Sequence, residues 1–451
     1  MENQEPQIGK TLIVGLGKTG LSCARYLSRQ GVAFAVTDSR EDPPGLDEIR
    51  EEMPDLAIFV GGFKPEVFEA AGRLVVSPGV ALQEPAIQAA QQRGAEILGD
   101  IELFARAANA PVVAITGSNG KSTVTTLLGE MANRAGLKVA VGGNLGSPAL
   151  DLLADDVQLY VLELSSFQLE TTESLKAAVA VVLNISADHM DRYRNLEHYA
   201  ATKAIVYRAV EKSVINRDDP GVVAIAGESE FEIGFTLGKP ADQDFGVCEN
   251  EEADWLCRGS APLIPVSELR IPGRHNQANA LAALALGSAV GLSMHAMLQA
   301  LRSFSGLPHR TQFIADKQHL RWYNDSKGTN VGATVAALQG LHPQAGESRT
   351  ILIAGGDCKG ADFSELAPVV EMTARAVILI GKDAPLIAGV LQDRTELVYA
   401  KTLSDAVQQA IALGQPGDRV LLSPACASFD MFKNFEARGQ AFIDAVEALN
   451  P

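Results

Sequence analysis

The run Val112-Val113-Ala114-Ile115-Thr116-Gly117-Ser118-Asn119-Gly120-Lys121-Ser122-Thr123 passes from β-branched apolar residues into a glycine-rich turn and ends in Gly-Lys-Ser-Thr. The apolar part reads as a buried strand, the turn exposes successive backbone N–H groups, and a helix starting near Lys121 would aim the positive end of its dipole at the same point. An anion there meets aligned donors and one ammonium. In phosphate loops of this kind the lysine reaches the outer phosphates and the next hydroxyl holds Mg²⁺, which gives those tasks to Lys121 and Ser122. The strict loop asks for a further glycine where this chain has Ile115, so Gly117 and Gly120 carry the turn of a variant loop. The plainer alternative is an ordinary strand-to-helix turn with a surface lysine.

A chain of 451 residues has room for about three domains with substantial cores. Its 38 basic against 55 acidic side chains leave a net charge of −17, a surface that repels nucleic acid and anionic membranes. Any phosphate must then be captured by a few placed cations, with Lys121, Lys203, Lys327 and Lys359 the ones to watch. The five cysteines, Cys23, Cys248, Cys257, Cys358 and Cys426, form no CxxC pair and are odd in number, which fits reduced thiols in a cytoplasm. Residues 1–10 are polar and lack the apolar stretch of a secretory signal. The longest apolar-looking stretch, 278–294, includes Asn279 and falls short of a membrane span.

Short apolar runs alternate with helical patterns along the chain, so the fold class expected is α/β with parallel sheets covered by helices. Strands are expected at 11–15, 32–38 and 74–76 in a first Rossmann-like unit, and at 112–116, 159–164 and 179–184 in a central unit built around the phosphate loop. Others at 350–354, 376–381 and 420–423 make a third, Rossmann-like unit. A helical stretch at 100–109 sets the first boundary, and Gly306-Leu307-Pro308-His309-Arg310 reads as a hinge. The domains expected are therefore 1–99, 100–306 and 307–451.

Gly15-Leu16-Gly17-Lys18-Thr19-Gly20 follows the first strand, and Asp38 ends the second. This is a dinucleotide-type fingerprint in which glycines admit a pyrophosphate and a carboxylate accepts from a ribose, though close helix packing alone would also use those glycines. Thr19 and Asp38 could serve any nucleotide diphosphate. Glu163 closes the apolar strand Val161-Leu162-Glu163, at the sheet end where ligands collect, and beside the phosphate loop it would bind Mg²⁺ with Ser122. His189, after another strand and next to Asp188, is a candidate metal ligand. Three donor-rich turns, 323–330, 354–360 and 423–430, follow strands of the third unit and point to an anionic substrate there.

These residues together resemble the Mur ligases of peptidoglycan synthesis over nearly the whole chain. The resemblance rests on Gly117 to Thr123, Gly143-Asn144-Leu145-Gly146, Glu163-Leu164-Ser165-Ser166-Phe167-Gln168, Asp188-His189-Met190-Asp191-Arg192-Tyr193, Gly273-Arg274-His275-Asn276, Asn324 to Asn330 and Leu422 to Asp430. It implies an ATP-dependent ligase that joins D-glutamate to UDP-N-acetylmuramoyl-L-alanine through an acyl phosphate, in a cytoplasmic protein expected to be a monomer. Carried over by position, Gly117, Ser118, Asn119, Gly120, Lys121, Ser122, Thr123, Asn279, Arg310 and Asp325 would bind ATP. The resemblance gives the UDP-sugar substrate Thr19, Asp38, Ser39, Ser77 and Gly79, with Asn144 and His189 toward its alanyl end. Two Mg²⁺ sites are implied: Ser122 with Glu163, and a second involving His189 and a carbamylated Lys203. Lys121, His189 and Lys203 would be catalytic, and Lys327, Thr329, Lys359, Ser428 and Phe435 would form the D-glutamate pocket, where Phe429 is bulkier than expected.

Nucleotide contacts on both sides of Pro308 further imply closure on binding. A folylpolyglutamate-type synthase, a nicotinamide-dependent oxidoreductase and a non-catalytic ATP-binding module are the competing readings. The UDP-site residues speak against the first, the absence of a role for Lys121 against the second, and three idle strand ends against the third.

Overall fold

The computed structural model describes residues 10–227, 229, 231–249, 253–342, 348–358 and 360–450, arranged as three sheets covered by helices. The first holds β1 (Lys10–Val14), β2 (Phe34–Thr37), β3 (Ile58–Phe59), β4 (Ala71–Val76) and β5 (Glu96–Leu98) in the order β3-β2-β1-β4-β5, all parallel. Its loops after β1, β2 and β4 share one edge, the geometry of a nucleotide-binding half-sheet.

The second sheet holds β6 (Val112–Thr116), β7 (Val139–Gly143), β8 (Leu159–Glu163), β9 (Val179–Val182), β10 (Lys212–Asn216), β11 (Phe231–Phe235), β12 (Phe245–Glu249), β13 (Asp254–Arg258) and β14 (Ala261–Pro265). Their order is β14-β13-β12-β11-β10-β9-β6-β8-β7. Strands β6, β8 and β9 are buried along their whole length, which is why they read as unbroken apolar runs. Alternation sorts their side chains onto two cores. Val113, Ile115, Val161 and Val181 face the helices Lys121–Arg134 and Arg274–Ala289. Val112, Ala114, Tyr160 and Leu162 share a second core with Ile13, Leu21, Val36 and Val75 of the first unit.

The uniform alternation of strand and helix does not hold in this sheet: β12, β13 and β14 form an antiparallel meander. Arg258 to Ala261 close one of its turns, with Gly259 at φ 52°, so consecutive strands meet without a crossover helix.

The third sheet comprises β15 (Gln312–Lys317), β16 (Leu320–Asn324), β17 (Thr350–Gly355), β18 (Ala374–Ile380), β19 (Glu396–Tyr399) and β20 (Arg419–Leu422), in the order β15-β16-β20-β17-β18-β19. Only β15 runs against its neighbour. This unit keeps two cores of its own. Among the described residues no helix is long and apolar enough to cross a membrane, and the stretch at 278–294 supplies most of Arg274–Ala289 instead.

The expectation of reduced thiols throughout is corrected at one place: Cys358 and Cys426 are paired as a disulfide with Cα atoms 4.5 Å apart. The two lie in the turns after β17 and β20, which are neighbours in the sheet, so residues distant in sequence meet. Cys23, Cys248 and Cys257 are free thiols.

Candidate active site

The turn after β6 is shaped by two glycines in the left-handed region, Gly117 at φ 146° and Gly120 at φ 85°. A side chain at Gly117 would lie 3.0 Å from Leu183 Cβ, and one at Gly120 would strike Oδ1 of Asn279. The helix Lys121–Arg134 begins directly after Gly120 without a side-chain cap, which leaves its first N–H groups for a ligand. Ser118 and Asn119 are clamped to the turn after β9. Ser118 Oγ accepts from Ser186 N and donates to Ser186 O, both 2.9 Å, while Asn184 brackets the Asn119 backbone at 2.8 and 3.0 Å. The Lys121 ammonium folds back onto the carbonyls of Gly117 at 2.8 Å and Ser118 at 2.9 Å. Ser122 and Thr123 are buried.

Glu163 ends β8 at the same edge and is 3% exposed; its Oε1 accepts from Asn144 Nδ2 at 2.7 Å and its Oε2 has no partner. An unpartnered buried carboxylate oxygen costs free energy unless a cation meets it. Among the described residues, no cluster of three or more His, Cys, Asp or Glu side chains could hold a metal ion by itself. The donors present, Glu163 Oε2 and the Ser122 hydroxyl, fit a divalent cation that arrives with phosphate oxygens.

Asn195 caps the helix Leu196–Ala204, accepting from His198 N at 2.9 Å, and this helix carries Lys203 into the site. Lys203 is 1% exposed; it donates to Gly117 O at 3.0 Å and lies 4.4 Å from the centre of the Tyr199 ring. Burial, and then the neighbouring Lys121, hold its pKa well below the usual lysine range, against the pull of Asp188 and Glu163. Lys121 is lowered by burial too. His189 stands on the exposed turn after β9 with φ 56°, beside Asp188 and 4.8 Å from the Phe167 ring. A non-glycine residue in that region is uncommon and concentrates at functional turns.

The carboxyl-terminal unit reaches into this edge. Arg310 donates to Ser122 Oγ at 2.6 Å, and Asn330 exchanges hydrogen bonds with the Asn119 amide at 3.2 and 3.4 Å while donating to Asp188 at 3.2 Å. Asp325 is held by Thr311 N at 3.0 Å and Ser423 Oγ at 2.7 Å, and burial raises its pKa to about 6. Lys327 lies 3.9 Å from the centre of the Phe435 ring, and burial, then Arg310, lower its pKa to about 8. A cavity of about 320 Å³ is lined by Asn119, Gly120, Asn279, Arg310, Asp325 and Lys327. A second, about 540 Å³, opens between His189 and Asp188 on one side and Thr329, Cys358 and Ala427 on the other.

The residues expected in an amino-acid pocket are therefore divided: Thr329 lines the second cavity, Lys327 the first, and Ser428 is buried one residue beyond Ala427. Phe429 is 65% exposed, so its bulk is not packed into the unit's core. Lys359 lies outside the described residues.

At the first sheet, the Ser77 hydroxyl donates to Gly15 O at 2.9 Å, and Asp38 accepts from Leu16 N at 2.7 Å and from the Arg40 side chain at 2.6 and 2.8 Å. Burial pulls the Asp38 pKa up, but Arg40 and the Leu16 amide outweigh it and hold the carboxyl below its ordinary value. Thr19 is half-buried there, with Ser39 and Gly79 exposed at the rim. Asn144 belongs with Glu163 rather than with this group. Arg40, a cation at this rim, and Tyr199, one helical turn before Lys203, were not singled out from sequence. Their signals were adjacency to Asp38 and the i, i+4 spacing.

Comparison with known proteins agrees with this layout along the chain. Residues 9–99 match a family model described as the MurD-like amino-terminal domain of Mur ligases, 115–287 the Mur ligase middle domain, and 309–426 the Mur ligase glutamate ligase domain. The chain is 54% identical to UDP-N-acetylmuramoylalanine--D-glutamate ligase of Nitrosococcus oceani over 450 residues, 99% of each chain. It is 53% identical to the enzyme of that name from Pseudomonas aeruginosa over 438 residues, covering 97% of this chain and 98% of the other. Among solved structures, UDP-N-acetylmuramate-alanine ligase of Thermotoga maritima shares the fold with a TM-score of 0.62 at 17% identity, over 98% and 99% of the two chains. FolC of E. coli in complex with DHPP and ADP shares it with a TM-score of 0.57 at 19% identity, over 78% and 94%. With all three units matched in order and relatives alike from end to end, the chain belongs to the Mur ligase family.

Proposed function

We infer that this chain is the ATP-dependent ligase that joins D-glutamate to UDP-N-acetylmuramoyl-L-alanine in peptidoglycan precursor synthesis, acting as a cytoplasmic monomer. The observation that carries the reading is the meeting of Lys121, Glu163 and Arg310 at one sheet edge, with Arg310 supplied by a different unit from the phosphate loop. A carboxylate is a poor acyl donor because its oxygen leaves badly. Transfer of the γ-phosphoryl group to the L-alanyl carboxylate forms a carboxyl–phosphate bond, breaks the β,γ bond and leaves ADP. Two anions must approach for that step, and Lys121 and Arg310 oppose their repulsion. The D-glutamate amine then attacks the acyl carbon, the carbon–oxygen bond breaks, orthophosphate leaves and the amine proton passes to solvent.

Mg²⁺ held by Ser122, Glu163 and phosphate oxygens would neutralise charge on the transferring group. A neutral Lys203 is the form that takes up CO₂, releasing a proton and leaving a carbamate, an anion suited to a second Mg²⁺ with His189. The UDP-sugar end belongs with Thr19, Asp38, Ser39, Ser77 and Gly79, and Asn144 with its alanyl end. The amino acid belongs with Lys327, Thr329, Lys359, Ser428 and Phe435.

The test is phosphate release from ATP and UDP-N-acetylmuramoyl-L-alanine with and without D-glutamate, using substrate labelled with oxygen-18 in the alanyl carboxylate. Release that depends on D-glutamate, with label in orthophosphate, is expected. Unlabelled orthophosphate overturns the acyl-phosphate route, and no release overturns the function.

A further inference from the structure

We propose that Arg192 is a positioning residue that ties the turn bearing Asp188 and His189 to the loop 77–80 of the first unit, holding the two ends of the UDP-sugar substrate in one register. This rests on the function inferred above. Arg192 N donates to His189 O at 2.9 Å, so its backbone closes the turn that sets His189. Its side chain then leaves the central unit. One terminal nitrogen donates to Pro78 O at 3.0 Å, and the other to Val80 O at 3.4 Å and Glu170 at 2.6 Å. Pro78 is flanked by Ser77 and Gly79, both given to the UDP-sugar.

The guanidinium also lies 4.2 Å from the centre of the Phe167 ring, which stacks on Tyr193 at 6.0 Å and leans on His189 at 4.8 Å. Arg192 and Glu170 are 13% and 14% exposed, so these bonds are shielded from water. Only a rigid planar fork meets two carbonyls, a carboxylate and a ring face together; a lysine's single ammonium does not. The Arg192 side chain lines neither cavity, and its hydrogen bonds go to Pro78, Val80 and Glu170 and not to residues given to ATP or D-glutamate, so it acts through the turns it joins. A displacement of about 1 Å between reacting groups costs on the order of 10² in rate, and this tie is what fixes the offset between the UDP-sugar loop and the His189 turn.

The test compares wild type with Arg192→Met, which keeps the apolar stem over Phe167, and Arg192→Lys, which keeps the charge. In Arg192→Met the KM for UDP-N-acetylmuramoyl-L-alanine should rise and kcat fall, each about tenfold, with the KM for ATP and calorimetric binding of UDP alone unchanged. Arg192→Lys should recover part of both losses. Should Arg192→Met fail to fold, Arg192→Lys and Glu170→Gln carry the test, each expected to raise the same KM about threefold. A role confined to stability would lower the melting temperature and the active fraction while leaving both KM values in place, and that result overturns the proposal. Equal increases in the two KM values overturn it as well. Wild-type turnover is measured alongside: its absence counts against the ligase reading, whereas a normal wild type with an unshifted KM counts against Arg192.

Discussion

The seam between the first and central units and the seam between the central and third units are made of different material. At the first, the helix Lys18–Arg29 and the helix Asp100–Ala107 pack with Ala149–Leu152, and Leu21, Phe104, Leu150 and Tyr160 belong to one continuous buried core. At the second, the helix Arg274–Ala289 lies against Val331–Leu341, but the buried clusters of the third unit include no residue of the central one, and the contacts at the edge bearing Lys121 are polar: Arg310 on Ser122, and Asn330 on Asn119 and Asp188. Apolar burial is lost outright when such a seam parts, whereas hydrogen bonds exchange for bonds to water at a small net cost. The chain entering the third unit also carries left-handed backbone at Gly306, His309 and Thr311, with φ 88°, 61° and 45°. The difference predicts which seam moves: the first unit should stay fixed to the central sheet, and the third should open and close over it.

If that contrast is right, damage to the apolar seam should cost stability and spare turnover, and damage at the polar edge should do the reverse. Phe104→Ala empties a site where the ring packs edge-on against Tyr160 at 5.0 Å. It should lower the unfolding free energy by about 3–5 kcal/mol in urea titration, with kcat per folded molecule unchanged; a selective loss of kcat would break the comparison. Lys121→Ala should lower kcat by ~10²–10³, or about 2.7–4 kcal/mol in the barrier, with the urea midpoint in place. An unchanged rate removes Lys121 from the mechanism.

What was legible in the sequence follows the same division. β6, β8 and β9 were visible because strands buried on both faces are continuous apolar runs, and the turn at Gly117–Gly120 because only glycine tolerates its backbone and its closeness to Leu183 and Asn279. Clusters contiguous in sequence, such as Asp188-His189 and Asn324 to Asn330, were visible as chemistry without their partners. The pairs Arg310–Ser122 and Arg192–Pro78 span different units, so no spacing rule reports them. The disulfide depended on β17 and β20 being neighbours, a fact of strand order. The shared core of the first two units was hidden because alternation marks two faces of a strand without saying what covers either.

A smaller effect tests the fixed seam through pH. Asp100 begins the helix that joins the two units; it is 2% exposed, accepts from Gln168 Nε2 at 2.9 Å, and has an unpartnered Oδ1. Burial raises its pKa to about 6. A carboxyl whose folded pKa lies above its unfolded value contributes stability fully present below the unfolded value and lost as pH rises through the folded one. Wild type should thus lose stability from this group between about pH 4 and 6, and Asp100→Asn should be more stable at pH 8 by about 1–3 kcal/mol. Identical pH profiles for the two proteins in urea titration would show that the seam tolerates the charge.

The smallest effect tests the movable seam. Asn330 caps the helix Val331–Leu341, accepting from Ala333 N at 2.8 Å, so Asn330→Ser keeps a capping oxygen while removing the amide that crosses to Asn119. A cycle of Asn119→Ala, Asn330→Ser and the double variant should give a coupling of about 0.5–1.5 kcal/mol in kcat/KM for D-glutamate. The unfolding free energies should be additive with no coupling, the result expected of a contact that forms on closure and not on folding. Coupling in stability equal to that in turnover would mean that the third unit is docked as firmly as the first, and the contrast between the seams would fail.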